Sequence, residues 1–340
     1  MNLENLKNLL TVLLACGLDY LIGDPINWPH PVQYMGLVIN YYQKIVFHLF
    51  KNTETPFAKL ALKIAGIILA IALIGGTGII SWFLLQQLRI LTAALPFISI
   101  LIESIILASC FAGRSLRQAA ITVLKPLREN DLITARQTLS LYVGRDTANL
   151  DEAGILRAVL ETVTENAVDG VTAPLFYAMV GAIILPVGAV PLALAYKAAS
   201  TLDSMVGYKE APFTDLGWCS AKLEDVLTWL PCRLTVLAIA LLSGKPDQVL
   251  KICWRDARQD PSPNSGWSEC VYAASLGVQV GGANTYRGVT KNKPLLGEDS
   301  QPITPAIIEQ ALQLTRLCGY LWLILFSMIY LLINFPWGRI

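Results

Sequence analysis

Between residues 144 and 170 the chain reads GRDTANLDEAGILRAVLETVTENAVDG, and in it Arg157, Glu161, Glu165 and Asp169 follow at successive i, i+4 steps. On a helix that spacing stacks them along one face. Three carboxylates then share a face with a single arginine. Such a surplus suits Mg²⁺, which takes one or two carboxylates and completes its shell with water and phosphate oxygens. Glu161, Glu165 and Asp169 are therefore candidates for a magnesium-nucleotide site. An ordinary solvated face, with Arg157 and Glu161 as a surface pair, is the competing reading. Against it stand the unbalanced acids, the small Gly154 and Ala158 that leave docking space, and the way Asn166 and Asp169 lead straight into an apolar segment.

Other polar groups sit at similar junctions. Asp19, Asp24 and His30 lie in LDYLIGDPINWPHPVQYMG at 18–36, where Pro25, Pro29 and Pro31 stiffen an extended backbone. Lys197 and Asp203 follow another apolar stretch, and Lys222, Glu224 and Asp225 precede the next, inside which falls Arg233. An ionised side chain within a bilayer costs on the order of 3 kcal/mol even on the lenient scale, so an intramembrane Arg points to function. Further on, Pro261 and Pro263 fix a turn bearing Ser262, Asn264 and Ser265, and GVQVGGANTYRG supplies glycines beside Asn284, Tyr286 and Arg287. Glycines let backbone N–H groups approach phosphate oxygens. Neither a P-loop nor a Rossmann glycine pattern occurs.

The elements that must position these residues are set by composition. Charged residues are only 15% of the 340, hydrophobic residues 54%, and mean hydropathy is +0.52, which indicates a multi-span membrane protein. Apolar stretches lie at about 9–22, 64–85, 90–112, 171–196, 226–243 and 317–336, against roughly 20 residues per crossing, so four to six membrane helices are expected. The second and third form a hairpin linked near Gln87–Arg89, and the fourth is broken by Pro186, Gly188 and Pro191. A broken segment is tolerated only where protein or a water-filled cavity receives its backbone groups. The fold class is thus all-α and multi-pass, with helical and loop segments in the cytoplasm. Both long polar stretches, about 113–170 and 244–316, are rich in Arg and Lys, which places them and the polar site on the cytoplasmic face of the cell membrane.

Asn149 and Glu152 resemble a capping box and Gly170 is placed to end a helix, so residues 150–168 are expected to be helical, with Leu156, Val159, Leu160, Val163 and Ala167 as the buried stripe. The LLAC tetrad ending at Cys16 imitates a lipoprotein cleavage site, but the apolar run before it is short and the segment is expected to stay. Seven scattered cysteines and two histidines offer no zinc spacing, and a net charge of +1 predicts no nucleic-acid partner.

Taken together the motifs resemble the CobD/CbiB family of cobalamin biosynthesis, the membrane-bound adenosylcobinamide-phosphate synthases. They are LDYLIGDPINWPHPVQYMG, GRDT at 144, RAVLETVTENAVDGVTAPLFY at 157, AYKAASTLDSMVGYK at 195, GWCSAKLEDVLTWLPCRL at 217, DPSPNSGWSE and GVQVGGANTYRG. The likeness covers about residues 10–290, treats 1–340 as one domain, and gathers polar site segments at 18–36, 144–170, 195–225 and 256–288. It implies that aminopropanol or its O-phosphate is joined by an amide bond to the f-side-chain propionate of adenosylcobyric acid, with ATP and Mg²⁺ as cofactors. It further implies lipid and the corrinoid as partners, with room for contact with other enzymes of the pathway. On that footing Glu161, Glu165, Asp169, Asp203 and His30 are the catalytic candidates. Arg145, Arg157, Asn166, Lys197, Lys222, Asp225, Ser262, Asn264, Tyr286 and Arg287 are the candidates for holding phosphates and carboxylates.

The chain departs from the family pattern at Asp260, where His is common, at Ser200, where Asn is common, and at Lys222–Asp225, which reads K-L-E-D for R-L-D-D. His30 is the one histidine left in a motif. A transporter using the broken helix, Arg233 and the acids is the main alternative, although no inverted repeat is evident. A non-catalytic scaffold for corrinoid enzymes is the third reading.

Overall fold

The structure, a computed structural model, describes residues 3–25, 28–50 and 55–334. Ile26 and Asn27 of the 18–36 motif and residues 335–336 of the last apolar stretch lie outside these. Helices dominate. Three of them, Pro56–Leu91, Trp218–Leu242 and Pro305–Asn334, are long and apolar enough to cross a membrane, and the bent pair Pro96–Ala108 with Gly113–Arg128 makes a fourth if counted as one span. Among the described residues this meets the lower end of the expected four to six. The stretch at 9–22 lies in the helix Leu3–Leu21, which carries Lys7 and Asp19 and is not among those three. Contacts divide the chain into two compact units.

The first unit comprises residues 1–111, 173–227 and 325–340. Here the helix-to-helix link comes later than Gln87–Arg89: the helix runs to Leu91 and the chain turns before Pro96. Arg89 is helical, and its Nε and Nη2 each donate to a separate oxygen of Glu103 at 2.7 Å. Glu103 is buried. The broken stretch 171–196 is a helical hairpin, Ala173–Ile183 and Ala189–Val206, which rejoins at a glycine contact. A Cβ on Gly181 would lie 2.3 Å from the Gly188 carbonyl oxygen. Asn8 Nδ2 and the Tyr330 hydroxyl both donate to the Ala182 carbonyl, which ties the hairpin to two further helices.

The second unit comprises residues 112–172 and 228–324. Its central helix, Glu152–Ala167, is capped by Asp151 rather than Asn149, because the Asp151 carboxylate reaches the Gly154 N–H at 2.8 Å. Gly170 does not end it. The backbone widens into a π turn, Val168–Thr172, and continues as helix, since the Gly170 carbonyl released there accepts from the Ala112 N–H at 2.8 Å. All five residues of the expected apolar stripe are buried. Ser265–Leu276 packs against this helix, with the Ser268 hydroxyl donating to the Thr164 carbonyl at 2.5 Å.

No strand was expected, yet Gln279–Tyr286 and Val289–Gly297 form an antiparallel hairpin. Its two-residue turn needs positive φ at both positions, and Arg287 and Gly288 supply 50° and 78°. Asp146 holds that turn, its carboxylate accepting from the Arg287 N–H at 3.1 Å and the Gly288 N–H at 2.8 Å.

A buried bidentate pair that loses one partner costs about 3–5 kcal/mol, whereas an apolar replacement of both is often neutral. Glu103→Ala is expected to lower thermal stability in detergent sharply, and Arg89→Met with Glu103→Leu to recover most of the loss. Equal losses in the single and double variants would show that the pair does not hold the hairpin.

A buried acid cluster as the candidate functional site

Glu161, placed by sequence on a polar helix face, is only 1% exposed. What covers it is protein. Its Oε2 accepts from the Arg145 guanidinium, its Oε1 accepts from the Gly281 N–H at 2.8 Å, and Arg157 Nε stands 4.0 Å away. Arg145 Nη1 also donates to Asn284 Oδ1 at 2.9 Å, and Arg157 Nη2 donates to the Ala283 carbonyl at 3.0 Å. Two arginines expected to hold phosphate are thus engaged by Glu161 and the hairpin strand. The glycine-rich strand does aim a backbone N–H at an anion, and that anion is Glu161.

Glu165, one turn on, has no hydrogen bond or ion pair among the described residues. Burial pushes its carboxyl up, Lys293 pulls it down, and Asp260 and Glu161 push it up again; the net direction is upward. Facing it from the Ser265–Leu276 helix is Glu269, whose side chain is fully buried. Glu269 Oε1 accepts from Lys293 Nζ at 3.2 Å and from the Ser265 hydroxyl at 3.4 Å, while Oε2 has no hydrogen-bond partner. Burial raises the Glu269 carboxyl to about 8 despite Lys293. For Lys293 burial works against the charge, but Glu269, Glu165 and Glu161 outweigh it and hold the ammonium protonated. Glu269 therefore keeps a proton that an isolated glutamate would lose at neutral pH.

Among the described residues no group of three or more His, Cys, Asp or Glu is arranged to hold a metal ion. Glu161 has both oxygens taken by protein donors, and the Arg145 charge beside it opposes a cation. Of the expected trio, Glu165 is the carboxylate without a protein partner; Asp169 lies half-buried in the π turn. The Asn166 amide donates to the Thr162 carbonyl of its own helix and is exposed.

The remaining expected residues fall into local roles. Ser262 Oγ accepts from the Asn264 and Ser265 N–H groups at 3.3 and 3.1 Å, and so starts the Ser265–Leu276 helix. Asn264 is buried there, Tyr286 is half-buried with Lys291 over its ring, and Arg287 is exposed on the hairpin turn. In the first unit His30 Nδ1 accepts from the Val32 N–H while Nε2 meets Asp24, both at 3.3 Å, which makes it a helix cap. Asp203 has its carboxyl raised to about 6 by burial and by Asp225, and Asp225 pairs with Lys222 at 3.5 Å. Lys197 and Asp24 both act electrostatically on Cys110.

Sequence reasoning passed over Glu269 and Lys293. Glu269 carried a signal, an acid in the otherwise small and apolar run GWSECVYAASL. Lys293 carried none, since it sits in the ordinary strand sequence TKNKP.

Because folding raises the Glu269 pKa from 4.5 to about 8, the folded state binds more protons between those limits. Stability is expected to fall as pH rises from about 4.5 to about 8 and to flatten above it. Glu269→Gln should remove that part of the slope in thermal unfolding followed across the range. An unchanged slope would mean the retained proton is elsewhere.

Comparison with known proteins gives the family of the chain. The CobD/Cbib protein family model matches residues 12–315. The cobalamin biosynthesis protein CobD of Synechocystis sp. is 51% identical over 96% of this chain and 94% of its own length. CbiB of Salmonella choleraesuis is 41% identical over 92% and 94%, and CobD of Photorhabdus laumondii 40% identical over 93% and 95%. No solved structure matches. With every site segment of the second unit inside the matched range, the chain belongs to the CobD/CbiB family.

Proposed function

We propose that this protein is a cobalamin-biosynthetic membrane enzyme that joins aminopropanol, or its O-phosphate, to the f-side-chain propionate of adenosylcobyric acid. The names of its relatives support the pathway, and Glu165 supports the chemistry. An amine reaches such a site as an ammonium ion and must lose a proton before its nitrogen can attack a carboxyl carbon. A half-buried carboxylate with no hydrogen-bond or ion-pair partner among the described residues, its carboxyl shifted upward chiefly by burial, is suited to hold the ammonium and then accept that proton. Glu269 and Lys293 set its electrostatic surroundings.

Balanced, the reaction takes a carboxylic acid and an amine to an amide and water, which is unfavourable in water without activation. ATP with Mg²⁺ would supply that activation by transfer of a phosphoryl or an adenylyl group to the carboxylate, releasing ADP or pyrophosphate, with phosphate or AMP leaving when the amine attacks. An ion accompanying a nucleotide needs few protein carboxylates. Glu165 and Asp169 fit that requirement, and Glu161 does not, being held by Arg145 and Gly281. Arg287, exposed on its turn in the same unit, is the cation proposed to meet phosphate or carboxylate groups of the substrates.

The test is mass spectrometry of purified protein in detergent with adenosylcobyric acid, aminopropanol phosphate and Mg-ATP. The expected product is heavier by the condensed amine, is lost by at least about a hundredfold in Glu165→Gln, in line with the 10²–10⁴ typical of acid–base groups, and needs the nucleotide. Tight corrinoid binding with no product would sink the ligase reading.

A further inference from the structure

A groove of about 720 Å³ in the second unit is built from tryptophan and arginine, and its chemistry differs from that of the acid cluster. One wall is the candidate span Trp218–Leu242, through Trp229, Arg233 and Leu237; the opposite wall holds Trp254, Arg258 and Trp267. The Arg233 guanidinium lies 4.5 Å from the Trp267 ring centre and 5.3 Å from that of Trp229, and its Nη2 donates to the Pro263 carbonyl at 2.8 Å. Arg258 lies 3.7 Å over Trp254.

Neither arginine has a carboxylate partner among the described residues. Asp260 also borders the groove, with its Oδ1 accepting from the Ser262 N–H at 2.8 Å, so one acid faces two cations. Rings hold the guanidinium groups in place by cation–π attraction but leave their charge uncancelled. From the groove an apolar surface runs along the span, where Leu234, Leu237 and Leu241 are exposed. Fixed positive charge beside tryptophans, continuous with exposed leucines on a membrane helix, is complementary to one class of molecule, an amphiphile with an anionic head.

We propose that this groove is a binding site for an anionic phospholipid, its phosphate head between Arg233 and Arg258 and its acyl chains along the exposed apolar face of the span. The arginines supply charge-assisted hydrogen bonds to phosphate oxygens. Tryptophans at the rim take the glycerol level, where amphipathic rings are favoured. This site does not depend on the reaction assigned above.

The full chain in nanodiscs of phosphatidylcholine tests it, with a minor fraction of either brominated phosphatidylglycerol or brominated phosphatidylcholine. Bromine on acyl chains quenches nearby tryptophans, and subtracting the two lipids removes quenching common to all lipid-facing rings. Greater quenching by phosphatidylglycerol is expected, lost in Trp267→Phe and in Arg258→Gln. Arg258 is exposed and touches only a ring, so its variant should unfold at the parent temperature; Arg233→Gln, if it folds, should behave likewise. Soluble glycerol phosphate in excess should not abolish the difference. Equal quenching by the two lipids, a difference that survives Arg258→Gln, or its abolition by glycerol phosphate or by a soluble nucleotide would each overturn the proposal.

Discussion

The buried Glu161 carboxylate is the point on which the second unit depends. Its two oxygens draw together Arg145, sixteen positions before it, and Gly281, 120 positions after it. A lone buried carboxylate costs several kcal/mol, so these donors must be in place for the helix to pack at all. Gly281 is glycine for the same reason. It sits at φ +92° at the register shift between Val280 and Gly282, and a Cβ would come 2.0 Å from the Pro294 carbonyl oxygen. Only that bulge turns its N–H out of the ladder and toward Glu161. Asn284, three residues along, takes Arg145 and Arg157 on one oxygen and fixes both guanidinium groups.

Charge is then distributed unevenly. With Arg145 taken by Glu161 and Arg157 by the strand carbonyl, Lys293 is the cation facing the remaining acids, and its shortest contact is to Glu269. Glu165 receives only a distant share of that ammonium. Burial without a partner is what raises a carboxyl, and it is also what leaves one available to a substrate. The rigidity of the Glu161 network and the availability of Glu165 have one cause, because the donors are spent one turn away.

How much of this was legible follows from the range of each interaction. The apolar stripe of Glu152–Ala167 and the i, i+4 acids were readable because helix periodicity is local. The cap moved by two residues because Asp151, like Asn149, has a short acceptor, and only backbone geometry chooses between them. Gly170 misled, since a glycine after a helical run signals termination unless a distant N–H, here that of Ala112, receives the released carbonyl. The β-hairpin was hidden by its glycines, which read as loop, and Lys293 was hidden because its strand alternates charge as any exposed strand does. Arg233 was legible as an anomaly in an apolar run, but its tryptophan partner Trp267 lies 34 positions away and no spacing rule connects them.

The same packing weighs the proposed ligation against a scaffold or a transporter. A docking surface works through side chains that a partner can reach, whereas Glu161 and Glu269 are sealed within the unit and Glu165 is at most half-exposed. A transporter must bind and release its solute from either side, which calls for charges that exchange partners; Glu161 is instead fixed by two donors from separate parts of the chain. The proposed ligation calls for the contrary arrangement, a rigid charged frame and one acid whose carboxyl is shifted upward by burial. Lys293, kept protonated by three glutamates, lowers the cost of putting negative charge on Glu165, and burial raises it. Those two opposing effects meet on the carboxylate that the proposed ligation would use to take up the amine's proton.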